Sequence, residues 1–235
     1  MEILTFENTF ERDNFLVLEF TKKSIFEIEK KGFFSVALSG GETPISFYKK
    51  LSEEKKILWN KIHIFFVDER MVEDGSKVSN TYHINEALIK PLSLKNVHYI
   101  DKDLDSKDAS LEYELEIKSF FKNENPSFDF IVLGLGKDGH TASLFPDRLD
   151  LLKSKNLVVS SQKEEENFYR ITFTYHLIND AKNIFILACG ENKASIVKKV
   201  IDNDKSYPAC HIKAKESCKL LIDKKASQGI VKKIT

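Results

Sequence analysis

The chain lacks any surplus of charge. Lysine and arginine together number 36, aspartate and glutamate also 36, so the formal net charge of its 235 residues is zero. Without a cationic excess, binding to nucleic acid or to an anionic membrane surface is disfavoured. Cysteine is scarce. Cys189, Cys210 and Cys218 are an odd number, and none stands in the short paired spacing of a zinc site, so they read as reduced thiols, buried or inert. Long apolar runs are missing too. The run 184–189 is typical of the longest, far below the roughly 20 residues that cross a bilayer. The first residues carry acids where a secretion signal needs a basic end and an apolar stretch, which points to the cytoplasm. No repeat, low-complexity tract or Pro/Ser-rich linker divides the chain, so it reads as one domain over 1–235.

What is present is ordinary globular material: 42% hydrophobic and 31% charged residues, too apolar for a disordered chain. Five short apolar runs, 34–38, 62–67, 128–133, 184–189 and 218–222, are continuous rather than alternating, as strands covered on both faces require. Between them lie segments with helical spacing, such as Tyr113, Ile117 and Phe120, or Ala194, Val197, Val200 and Ile201. An opening helix is expected from Phe15, Leu18, Ile25 and Ile28 on one face, with Lys30 and Lys31 in its last turn and Gly32 as cap. Residues 123–126 read as a loop. Strand and helix thus alternate, which predicts a mostly parallel sheet with helices on both faces. Six of the nine glycines (Gly40, Gly41, Gly134, Gly136, Gly139, Gly190) fall at or just after predicted strand ends, where ligands bind in such sheets.

Four segments carry chemistry. Ser39-Gly40-Gly41-Glu42-Thr43-Pro44 joins a strand to a helix whose expected N-cap is Thr43 and first residue Pro44; converging N–H groups there suit a phosphate, although an ordinary capped turn has the same look. Asp68-Glu69-Arg70 ends the second strand, and Ser79-Asn80 could cap the helix that follows. Arg70 is one of only four arginines, with Arg12, Arg148 and Arg170, and a planar fork suits an oxyanion. The third segment is Gly134-Leu135-Gly136-Lys137-Asp138-Gly139-His140. Its G-x-G-x-x-G spelling is not a dinucleotide fingerprint, because Pro146 limits any helix starting there and 156–160 holds no acid for a ribose. It does set a histidine two residues after an aspartate in a glycine-rich loop, where a general base with an orienting carboxylate can sit. In the fourth, Lys193 falls in the first turn of a helix, a place that makes sense for a cation facing an anion. Arg170 opens an apparent strand and reads equally as an exposed edge charge.

In this order, these segments resemble the 6-phosphogluconolactonases of the oxidative pentose phosphate pathway. The likeness rests on Ser-Gly-Gly-x-Thr-Pro, Asp-Glu-Arg with the later Ser-Asn, residues 138–146 (Asp-Gly-His-Thr-Ala-Ser-Leu-Phe-Pro), Arg170-Ile171-Thr172, the turn from Gly190 to Lys193, and Tyr207-Pro208-Ala209. It implies a Rossmann-like three-layer α/β/α fold with a mostly parallel sheet (NagB-like), and hydrolysis of 6-phospho-D-glucono-1,5-lactone without metal or organic cofactor. The site it implies has Gly40, Gly41, Thr43, Asp68, Arg70 and Lys193 on the substrate and its phosphate. His140 activates water, Asp138 orients it, and Arg170 or loop N–H groups meet the oxyanion. The related glucosamine-6-phosphate deaminases continue after the histidine as Ile-Gly-Phe-Asn-Glu-Pro, whereas this chain has Phe145 at the place of the catalytic glutamate and Arg70 where an aromatic is usual. The deaminase reading ranks second and a non-catalytic sugar-phosphate sensor third. Departures from the lactonase pattern lie at 71–75 and at Cys210-His211. Oligomeric state is not legible, and a monomer suffices for the site described.

Overall fold

The structure, a computed structural model, describes residues 1–122, 125–163 and 166–228; two residues of the expected 123–126 loop lie outside that set. Along the chain come β1 (Glu2–Phe6), α1 (Thr9–Lys31), β2 (Phe34–Leu38), α2 (Ile45–Ser52), β3 (Ile62–Phe66) and the short β4 (Asp68–Arg70). Next are α3 (Asn80–Ile84), which runs through a π-helical turn (Asn85–Ile89) into α4 (Lys90–Leu92), then β5 (Val97–His98), α5 (Ser106–Phe121) and β6 (Phe130–Gly134). The remainder holds β7 (Val158–Gln162), β8 (Tyr169–Phe173), α6 (Tyr175–Asn179), β9 (Asn183–Ala188), α7 (Ala194–Ile201) and β10 (Ser217–Asp223).

Among the described residues, seven strands form one sheet in the order β1-β10-β9-β6-β2-β3-β5, and every pairing in it is parallel. The five apolar runs of the sequence are its five inner strands. β2 and β9 are buried at every residue, as a strand covered on both faces must be. The edges β1 and β5 are partly exposed and carry no continuous apolar run. One cover is α1, whose Phe20 ring lies 5.2 Å from Phe34 and 5.3 Å from Phe130. On the other face, α5 sets Phe120 5.2 Å from Phe65, and Phe65 stands in register with Ala37, out of step with Phe34. These contacts make three layers. Helix α1 forms as expected, with the Asn8 side chain accepting from Glu11 N at 3.0 Å and Gly32 closing it at φ 87°.

A second, antiparallel sheet of three strands, β4-β8-β7, stands apart from the first and has no counterpart in the sequence reading beyond the run that begins at Arg170. Its position follows from the chain's path. From β2 the chain moves one way, to β3 and β5; from β6 it moves the other way, to β9 and β10. β2 and β6 are neighbours, so the direction reverses between them, and the crevice beyond their carboxyl ends is the natural ligand site of such a sheet. The glycine-rich segments 39–44 and 134–140 leave from those two ends. Among the described residues, no helix is long and apolar enough to cross a membrane.

Candidate active site

The loop after β2 owes its shape to two glycines and three outside supports. Gly41 has φ +85°, a left-handed turn open to glycine. A Cβ on Gly40 would come within 2.1 Å of Asn80 Oδ1, so the backbone passes against the start of α3 only without a side chain. The buried Tyr48 hydroxyl donates to Ser39 O at 2.6 Å, and Asn80 Nδ2 donates to Asp68 O at 2.8 Å, tying loop, helix and β4 together. Arg12, fully buried, donates to Thr43 O at 3.1 Å; Asp13 holds it through Nε at 2.9 Å, and it also touches Cys189 Sγ. The expected cap is corrected here: α2 begins at Ile45 with Pro44 at the capping position, and no side chain among the described residues caps it. The turn at Gly41 and the Arg12 grip on the Thr43 carbonyl set the entry into the helix, so the Thr43 hydroxyl is not spent on the helix end.

β4 delivers Asp68 and Arg70. Between them Glu69 is fully buried and accepts from Arg70 N, Asn80 N, Thr81 N and Ser79 Oγ at 2.6–2.8 Å. A carboxylate at a helix start satisfies otherwise orphaned N–H groups and favours the dipole. Ser79 caps α3 as expected, accepting from Tyr82 N. Arg70 Nη1 donates to Val78 O at 2.6 Å, while its Nε is buried without a partner among the described residues.

β6 delivers the imidazole. His140 Nδ1 lies 2.5 Å from Asp138 Oδ1, which also accepts from the His140 backbone N–H at 3.2 Å. Burial pushes the Asp138 carboxyl up, but hydrogen bonds and charge from His140 prevail and bring it down to about 2. It is therefore ionised at neutral pH and can only accept, which places the proton on Nδ1 and leaves Nε2 as the basic nitrogen of the neutral ring. The dyad folds over bare backbone: a Cβ on Gly136 would stand 2.2 Å from His140 Nδ1 and 2.6 Å from Asp138 Oδ1. Gly139 is at φ +79°, a Cβ there would come within 2.5 Å of the Tyr207 ring, and its carbonyl accepts from Ala209 N at 3.1 Å, which gives the Tyr-Pro-Ala element its place.

Lys193 closes the far wall. It sits at the end of a 3-10 turn (Glu191–Lys193) just before α7, one residue short of the expected first turn, and its Nζ donates to Leu135 O at 2.6 Å. Burial and the neighbouring Lys137 charge lower its pKa from the usual lysine value, against a smaller pull from Asp138 and Cys189. Arg170 departs from the edge-charge reading. It lies in the middle strand of the small sheet, 6% exposed, paired with Glu166. Cys189 is only half-buried and faces the same space, its thiol raised to about 11 mainly by burial, which makes a poor nucleophile.

The nine residues expected at the site, Gly40, Gly41, Thr43, Asp68, Arg70, Asp138, His140, Arg170 and Lys193, all line one cleft of about 670 Å³. Among the described residues that line it, five cationic side chains face three carboxylates, in a chain whose total charge is zero. The cleft therefore has the local field of an anion site. Among the described residues no three histidine, cysteine, aspartate or glutamate side chains gather as metal ligands. Sequence reasoning gave no role to Arg12, to Glu69 and Ser143 inside the quoted motifs, or to Glu166, which support this wall from behind. The scarcity of arginine was the one signal available for Arg12.

A family model described as glucosamine-6-phosphate isomerases/6-phosphogluconolactonase matches residues 14–221. The chain is 34% identical to the 6-phosphogluconolactonase of Thermotoga maritima over 206 residues, 86% of this chain and 90% of that protein. With a probable 6-phosphogluconolactonase of Arabidopsis thaliana it shares 35% over 225 residues, 87% of this chain and 85% of that one. The crystal structure of the Thermotoga maritima protein matches with a TM-score of 0.85 at 32% identity, covering 95% of this chain and 99% of that one. A monomeric glucosamine-6-phosphate deaminase, with a TM-score of 0.80 at 19% identity over 97% of this chain and 99% of that one, shares the fold.

Proposed function

The chain belongs to the glucosamine-6-phosphate isomerase/6-phosphogluconolactonase family, and from that membership we propose that it hydrolyses 6-phospho-D-glucono-1,5-lactone to 6-phospho-D-gluconate in the oxidative pentose phosphate pathway. The observation that carries this reading is an Asp138–His140 dyad sharing one cleft with the 40–43 loop, Arg70 and Lys193. The loop N–H groups, Arg70 and Lys193 hold the 6-phosphate, and part of that binding energy goes into placing the distant lactone carbonyl. His140 Nε2 takes a proton from water, the water oxygen bonds to C1, and the carbonyl electrons move onto its oxygen. Arg170 lines the cleft and is the donor we assign to that oxyanion, because the Gly136 and Gly139 N–H groups already donate to His140 O and Gly136 O. When the carbon–ring-oxygen bond breaks, the imidazolium returns its proton to the departing oxygen. Asp138 orients the ring and stabilises its charged form, as the third group does in base-assisted hydrolysis.

Position 145 separates this reading from amine release. Phe145 is 2% exposed, with its ring 5.1 Å from that of His140, so the place at which the deaminases put an acid is filled by an aromatic side chain. Lactone hydrolysis needs only an activated water and a stabilised oxyanion. We place the reaction in the cytoplasm, where three unpaired thiols stay reduced. The test is a fresh-lactone assay, coupled to 6-phosphogluconate dehydrogenase and corrected for spontaneous hydrolysis. His140→Ala is expected to lower kcat by more than about 100-fold while the protein stays folded. Unchanged turnover in that variant would sink the assignment, and ammonia release from glucosamine 6-phosphate by the wild type would favour the deaminase.

A further inference from the structure

Arg170 reaches the cleft under constraint from a carboxylate that no motif marks. Because the arginine is 6% exposed, its charge must be met inside the protein. Glu166 meets it at two points, with Nε donating to Oε2 at 2.7 Å and Nη2 to Oε1 at 2.6 Å. That pairing occupies one whole edge of the guanidinium. The remaining nitrogen, Nη1, donates a long hydrogen bond to Ser143 Oγ at 3.4 Å and lies 4.0 Å from Asp68 Oδ2. Phe145 and Phe168 each stand 5.5 Å from the guanidinium carbon. Across the β4–β8 pair, Arg70 is the direct partner of Arg170, and like charges placed opposite each other repel. Hydrogen bonds from Arg170 lower the Glu166 carboxyl against the opposing effect of burial, and the charges of Arg170, Arg70 and Lys163 add to them, so the anion persists beside both arginines.

We propose that Glu166 is a positioning residue: it holds Arg170 edge-on so that only the Nη1 side meets the substrate, and it offsets the repulsion between the two facing arginines. The inference rests on the lactonase reading and adds to it a residue outside every recognised motif. Glu166 makes no contact with the reacting atoms in this scheme. Its effect passes through Arg170, and the two substitutions must therefore be non-additive.

The experiment compares Glu166→Gln, Arg170→Lys and the double variant in lactone hydrolysis, with thermal midpoints to establish folding. Glu166→Gln is expected to move the same constant, kcat or KM, that Arg170→Lys moves, by about ten-fold, the scale of one charged hydrogen bond. The double variant should be no worse than Arg170→Lys alone, and Glu166→Asp, which keeps the charge, should recover most of the loss. Losses that multiply in the double variant overturn the proposal. So does a lower KM on Glu166→Gln, which would make the carboxylate a competitor of the substrate for Arg170. A wild type without lactonase activity removes the functional reading instead; calorimetric binding of 6-phosphogluconate and of glucosamine 6-phosphate to the same variants, with the same non-additivity expected, then decides the role of Glu166.

Discussion

At the scale of single residues, the site depends as much on side chains that are absent as on those present. Gly136 is the sharpest case. With a methyl group there, His140 Nδ1, His140 Cε1 and Asp138 Oδ1 would all lie within 2.6 Å of the new carbon, so the dyad would have to leave its place. Gly136→Ala is expected to cost about 100-fold in kcat, near the full value of a general base, with an unchanged far-UV circular dichroism spectrum; retention of half the wild-type rate would contradict the geometry. Arg12 works in the opposite sense. It is a buried cation that touches no substrate group in the proposed scheme, yet it turns the Thr43 carbonyl inward and leaves the loop free to present N–H groups. The sequence showed the aspartate, the histidine and the glycines as neighbours in the chain, because a loop of seven residues is local. The Arg12 contact spans 31 residues, and no local pattern encodes it.

At the scale of elements, hydrophobic continuity located the inner strands and missed the edges for one physical reason. An inner strand is covered on both faces and shows an unbroken apolar run, whereas β1 is partly exposed and β5 has two residues, so neither produces the signal. β4 is the same failure with a larger consequence. Its three residues are Asp68, Glu69 and Arg70, charged enough to read as a solvated cluster at a strand end, and they form a strand of their own only because β8 supplies the partner. The α1 layer makes a quantitative prediction possible. Phe20 is 1% exposed, and besides Phe34 and Phe130 its ring approaches Phe47 at 6.4 Å and Trp59 at 6.1 Å. Phe20→Ala should cost about 3–5 kcal/mol, the usual range for emptying such a core site. Urea unfolding would register it as a lower midpoint at unchanged slope.

At the scale of the molecule, a chain of zero net charge concentrates cations at one crevice. Lys193 is the most informative of them, because burial and Lys137 lower its pKa below that of an ordinary lysine. A bound phosphate favours the protonated form, so affinity is lost as pH rises through the value of the free enzyme. KM should therefore climb on the alkaline side earlier than an exposed lysine would dictate, and Lys193→Met should remove that limb while raising KM at neutral pH; a wild-type KM with no alkaline limb would contradict the assignment. The sequence by itself determined the alternation of strand and helix, the five inner strands, and the loops in which glycine, aspartate and histidine lie side by side, because each of these is written in periodicity or in a few adjacent residues. Only the tertiary structure decided that the chain reverses direction between β2 and β6, that a second sheet carries Arg70 opposite Arg170, and that Arg12 and Glu166 brace the walls. Those facts depend on pairings between segments far apart in the chain, and burial, not local propensity, fixes which segments meet.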